Sequence, residues 1–90
     1  MSTAGYEVVL QPRAERELNK VSPPLFLKMD AAIRSLGMDP RPFGVKKLEG
    51  DLHRIRLGDW RIVYVVLDQE RRVVIHRVTR RSERTYKGLG

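Results

Sequence analysis

The stretch LHRIRLGDWRIVYVVLDQERRVVIHRVT, Leu52 to Thr79, decides the fold. It breaks at Gly58-Asp59 and again at Asp68-Gln69-Glu70, residues that favour turns. The pieces between the breaks run roughly Leu52–Leu57, Trp60–Leu67 and Arg71–Thr79, and they are rich in the β-branched and aromatic residues of strands. Links this short join antiparallel neighbours, so the stretch predicts two consecutive hairpins, a three-strand meander.

Toward the N-terminus the pattern changes period. Phe43 to Gly50 reads as a connector holding Lys46, Lys47 and Leu48, after a stiff, extended Asp39-Pro40-Arg41-Pro42 loop. Leu25, Met29, Ala32, Ile33 and Leu36 form one apolar stripe of a helix that ends near Gly37, with Ser22 placed to cap it and Pro23 to open it. Ala14, Leu18 and Val21 recur at helical spacing after Pro12, which suits a first helical turn. Tyr6 to Leu10 alternates as a half-buried strand, and Ser82 to Leu89 reads as a short terminal turn or helix. The order is β-α-α-β-β-β, an α+β fold with both helices on one face of a small antiparallel sheet. Its 90 residues form one domain, 1–90, too short for two independent cores.

Composition removes several classes of function. The chain has no cysteine and only two histidines, His53 and His76, with no carboxylate cluster beside them. Disulfides and thiolate metal sites are excluded, and neither a metal nor another cofactor is expected. No apolar run approaches the roughly 20 residues of a membrane span. Met1 to Gly5 lacks the basic and apolar regions of a signal peptide, so the expected location is the cytoplasm.

The net charge of +7 is unevenly spread. Residues 1–50 hold 8 basic and 6 acidic side chains, whereas residues 51–90 hold 10 and 5, nine of the ten being arginine. Arginine stays charged and forks onto phosphate with two hydrogen bonds, which points to a polyanionic partner. An ordinary solvated basic surface would give the same count. Strand alternation sharpens the choice, because it sets Arg54 and Arg56 on one face and His53, Ile55 and Leu57 on the other, under the helices. If Arg61 and Arg77 share the Arg54/Arg56 face, four guanidiniums converge, an arrangement that favours a bound anion. Arg80, Arg81 and Tyr86 follow the third strand and can close over that side.

Other residues carry weaker signals. His76 alternates with Val74 and Val78, which puts its ring at the edge of the core, and His53 is expected to be exposed near a turn. Trp60 follows a turn and reads either as a core-edge residue or as a surface for stacking a base. Lys46 and Lys47 read either as a mobile surface pair or as extra phosphate contacts. No Gly-rich phosphate loop, helix-turn-helix spacing or zinc-finger pattern is present.

The run Lys47-Leu48-Glu49-Gly50, followed by Leu52-His53-Arg54-Ile55-Arg56-Leu57-Gly58-Asp59-Trp60-Arg61-Ile62-Val63-Tyr64, resembles the central signature of the RelE/ParE toxin superfamily. Arg80-Arg81-Ser82-Glu83-Arg84-Thr85-Tyr86 resembles its closing basic segment, and the opening strand and helix also fit. The resemblance implies a RelE-like toxin domain of a type II toxin–antitoxin pair. RelE-type members enter the ribosomal A site and cut messenger RNA, whereas ParE-type members poison DNA gyrase and generally lack the RNA-cutting residues.

Position by position, the resemblance implies catalytic roles for Arg54, Arg56, Arg61, Arg80 or Arg81, and Tyr86. Arg77, Lys46 and Lys47 would add RNA contacts. The set favours the RelE branch, a ribosome-dependent endoribonuclease working without metal. The two strand positions, often lysine in that branch, are both arginine here. Arginine does not give up its proton, so Arg54 and Arg56 suit phosphate clamping rather than base catalysis. Tyr86 is then the candidate base or stacking partner. The implied partners are the ribosome, its messenger RNA, and a cognate antitoxin whose C-terminal segment wraps the domain. A gyrase poison and a non-catalytic nucleic-acid-binding protein are the alternatives.

Overall fold

The computed structural model describes residues 5–80. Its elements are β1 (Glu7–Leu10), α1 (Pro12–Asn19), α2 (Pro23–Ser35), β2 (Lys46–Lys47), β3 (Leu52–Leu57), β4 (Trp60–Leu67) and β5 (Arg72–Arg80). The expected turn or helix at Ser82 to Leu89, with Arg81 and Tyr86, lies outside the described residues. Both prolines open their helices as the sequence predicts. Ser22 holds the N-cap position of α2, but its side chain makes no capping hydrogen bond.

The meander is present, with β3, β4 and β5 pairing antiparallel in sequence order. The complete sheet has the order β1-β5-β4-β3-β2 and is mixed. β1 lies parallel to β5, with Glu7 opposite Arg72 and Leu10 opposite Ile75. A lone strand followed by two helices has no hairpin to fix its direction, so the expected all-antiparallel sheet held only where turns were legible. Lys46 and Lys47, read as part of a connector, form an edge strand against Arg54 and His53.

Two turns show why the boundaries fall where they do. Gly58 has φ +64, supplying the left-handed backbone of the two-residue β3–β4 loop. Arg71 also has positive φ, +53, so it ends the next turn and β5 begins at Arg72 rather than Arg71.

One face of the sheet carries the core. Ile62, Tyr64 and Val66 of β4, and Val73, Ile75 and Val78 of β5, pack with Ala14 and Leu18 of α1 and Met29 and Ile33 of α2. The alternation along β5 breaks between Ile75 and Val78, because the β4–β5 register shifts at Val63/Tyr64. The bulge gives β5 one extra residue at His76, which stays half-buried. Past it, even-numbered residues take over the core side.

His53 lies on the helix-facing side that strand alternation gave it, but it is not exposed near a turn as was also expected. It is 3% exposed, because its register partner is Tyr64 and the two rings stack with centroids 5.5 Å apart. Its Nδ1 lies 2.7 Å from the Asp51 carbonyl oxygen.

The end of the sheet away from Trp60 is tied by Asp68. Arg41 donates to both its carboxylate oxygens, at 3.2 and 2.9 Å, and the Tyr6 hydroxyl donates to Oδ1 at 2.7 Å. The Arg41 and Tyr6 hydrogen bonds hold the Asp68 carboxyl below its ordinary value of 3.8. A depressed acid contributes stability above its unfolded pKa and loses it as pH falls through the folded value. Asp68→Asn is therefore expected to be less stable than wild type at neutral pH, with the gap closing below about pH 4. Urea midpoints on both sides of that pH check it. The exposed setting keeps the difference small.

Candidate nucleic-acid interface

Residues directly opposite one another on antiparallel strands share a face. The register therefore lays out two parallel rows on the face away from the helices. One row runs Lys46, Arg54, Val63 and Arg77 across β2, β3, β4 and β5. The next runs Arg56, Arg61 and Thr79 across β3, β4 and β5. The expected convergence of Arg54, Arg56 and Arg61 on one face is built by this register.

The Arg56–Arg61 pair is the telling feature. Facing residues have Cβ atoms about 5 Å apart, and like charges so placed destabilise the sheet. Two cations there are tolerable when an anion sits between them. Arg61 is only 5% exposed, Arg54 is half-buried and Arg56 is exposed. The face thus grades from a sheltered cation to an accessible one. β2 also separates the two lysines: Lys46 joins the Arg54 row, while Lys47 stands opposite His53.

Arg77 is drawn out of the cluster. Its Nε and Nη2 donate to the Glu17 carboxylate at 3.0 and 2.8 Å, and the Val78 N–H donates to the same carboxylate at 2.7 Å. β1 pairs with β5 only as far as Ile75, so Glu17 of α1 satisfies the backbone on the side where β1 has ended. Nothing in the sequence flagged Glu17, because the partners lie 60 and 61 residues apart. Glu17→Ala is expected to cost about 1–3 kcal/mol by stranding a backbone donor and a guanidinium. Denaturant unfolding measures the loss.

Arg80 stands opposite Trp60, on the core side of the sheet, with its guanidinium carbon 5.8 Å from the indole centroid. It is not in either basic row. Arg81 and Tyr86 lie outside the described residues. The chain's other tyrosines are poor bases: burial pushes the Tyr64 hydroxyl up to about 12, and the hydrogen bond to Asp68 raises that of Tyr6.

Comparison with known proteins places this arrangement in a family. The profile described as the ParE toxin of type II toxin–antitoxin systems matches residues 8–85. The chain belongs to the RelE/ParE toxin superfamily. This toxin is 32% identical over 87 residues to a protein of Methanocaldococcus jannaschii described as toxin RelE1, covering 91% of this chain and 96% of the relative. Its fold matches the RelE–RelB complex of Pyrococcus horikoshii, with TM-score 0.80, 28% identity, and 88% and 98% of the two chains covered. It also matches the RelBE2 toxin–antitoxin complex of Mycobacterium tuberculosis, with TM-score 0.77, 26% identity, and coverage of 91% and 98%. The RelE-like toxin fold read from the sequence is thereby shown, with β1 parallel to β5 and the short edge strand β2 added to it.

Proposed function

We propose that this toxin cuts messenger RNA in the ribosomal A site, using the ribose 2′-oxygen to attack its own 3′-phosphate. The Arg56–Arg61 pair carries the reading, because it concentrates charge where a phosphate can bridge two strands. As the 2′-oxygen bonds to phosphorus, the phosphorane gains negative charge. Arg56 and Arg61 neutralise it, a form of transition-state stabilisation. Arg54 and Lys46 hold the neighbouring backbone. Tyr86 takes the 2′-proton, since Tyr6 and Tyr64 have raised pKa values. Arg81 stabilises the leaving 5′-oxygen, since Arg80 is engaged by Trp60 on the opposite face. The products are a 2′,3′-cyclic phosphate and a 5′-oxyanion, which water protonates to the 5′-hydroxyl. These cations act by position and charge, so the ribosome must hold the RNA in line.

The toxin–antitoxin complexes of P. horikoshii and M. tuberculosis that share this fold support a cognate antitoxin for this chain. Acidic residues of its C-terminal segment would meet the basic face. Toeprinting on translating ribosomes tests the activity: wild type is expected to generate A-site breaks, with Arg81→Ala and Tyr86→Phe strongly impaired. Variants that cut as well as wild type would discard the assigned roles. The match to a ParE description supports a second reading, a gyrase poison, which predicts arrested supercoiling with messenger RNA intact.

A further inference from the structure

We infer that the cleft beside Trp60 seats a nucleobase of the RNA strand flanking the cut; this rests on the RNA-cutting reading above. The cleft holds about 190 Å³ and lies between α1 and the ends of β4 and β5. Trp60 supplies a half-buried indole, and Arg80 lies over its ring at 5.8 Å. Lys20 brings a second cation, and the Glu17–Arg77 pair forms a fixed polar wall. Neither Lys20 nor Arg80 has an ion-pair partner among the described residues.

An aromatic ring flanked by cations suits a base on its plane and a phosphate at its rim. An acidic peptide would need only the cations, leaving the indole idle. Position adds a second argument. Thr79 lines the cleft and is also the register partner of Arg61. The phosphate clamp and the cleft therefore sit on opposite faces of the same strand ends, one residue apart at Trp60 and Arg61. A strand leaving the clamp around the end of the sheet arrives at the indole.

Trp60 is the chain's single tryptophan, so its emission reports on this cleft alone. The test titrates the wild-type toxin, at low salt, with a labelled single-stranded RNA of about six nucleotides. Anisotropy reads binding and Trp60 emission reads stacking. Quenching in step with binding is expected, along with about ten-fold weaker binding for Trp60→Ala. Trp60→Phe is expected to retain most of the affinity, and a fully abasic strand should bind without quenching. If Trp60→Ala does not fold, wild-type quenching and the abasic strand decide the question. RNA that binds while emission stays unchanged overturns the base seat and leaves the Arg56–Arg61 clamp standing. No binding at all also overturns the base seat, while A-site cutting is judged independently by toeprinting.

Discussion

Arg61→Ala is expected to slow A-site cleavage by about 10²–10³-fold, the range found when one preorganised donor to a developing oxyanion is removed. Arg61 stands at the centre of the basic face, with Arg56 on its β3 side and Thr79 on its β5 side. At 5% exposure it is held away from bulk solvent, where its charge acts on a phosphate with less screening. Arg61→Lys keeps the charge but loses the two-pronged fork, so it should recover part of the rate. Because Arg61 is buried, its alanine variant needs a check of thermal unfolding. Arg56 is exposed, and Arg56→Ala therefore gives a cleaner kinetic comparison. If a ribosome-based cleavage assay finds both alanine variants within a few-fold of wild type, the clamp has been misplaced.

Tyr64→Ala should be among the most destabilising single changes, at about 3–5 kcal/mol by analogy with other buried aromatics. Tyr64 is 0% exposed and at the middle of the core. Its ring stacks on His53, and its hydroxyl donates to the Pro40 carbonyl at 2.7 Å. It therefore joins β4, β3 and the loop after α2 in one contact set. Small domains have only about 5–15 kcal/mol of stability, so the loss is a large share of the total. Tyr64→Phe keeps the ring and removes the hydroxyl, leaving the Pro40 carbonyl without that donor, and is expected to cost about 1–2 kcal/mol. Guanidinium unfolding of the three proteins separates packing from the hydrogen bond. Equal midpoints for Tyr64→Phe and wild type would show that the Pro40 tie contributes nothing.

Local chemistry made much of this molecule legible before any coordinates. Gly58-Asp59 marked a hairpin, and that hairpin in turn set Arg56 opposite Arg61. Pro12 and Pro23 marked helix starts because their backbone suits a first turn. The hidden features depend on long-range partners or broken periodicity. The parallel seat of β1 has no local signal. The His76 bulge shifts the alternation on β5, so simple parity placed Val74, His76 and Val78 together when their strand does not. His53 lay near a turn in sequence, yet the β3–β4 register carried it under Tyr64. The tie of Glu17 to Arg77 and to the free edge of β5 joins residues 60 and 61 positions apart and has no local signal. Arg80 and Arg81 could not be separated by spacing. The place of Arg80 over the Trp60 ring is why the proposed mechanism gives the late role to Arg81.

Ribosomes programmed with a defined codon in the A site give the deciding experiment on this toxin. Two messages would be compared, one all-RNA and one carrying 2′-deoxyribose at the nucleotides of that codon. A break is expected within the codon of the first, ending in a 2′,3′-cyclic phosphate or its 3′-phosphate, and none in the second. Cutting of the deoxy message would contradict the proposed chemistry. An intact all-RNA message, with gyrase supercoiling arrested by the same toxin, would contradict the proposed target.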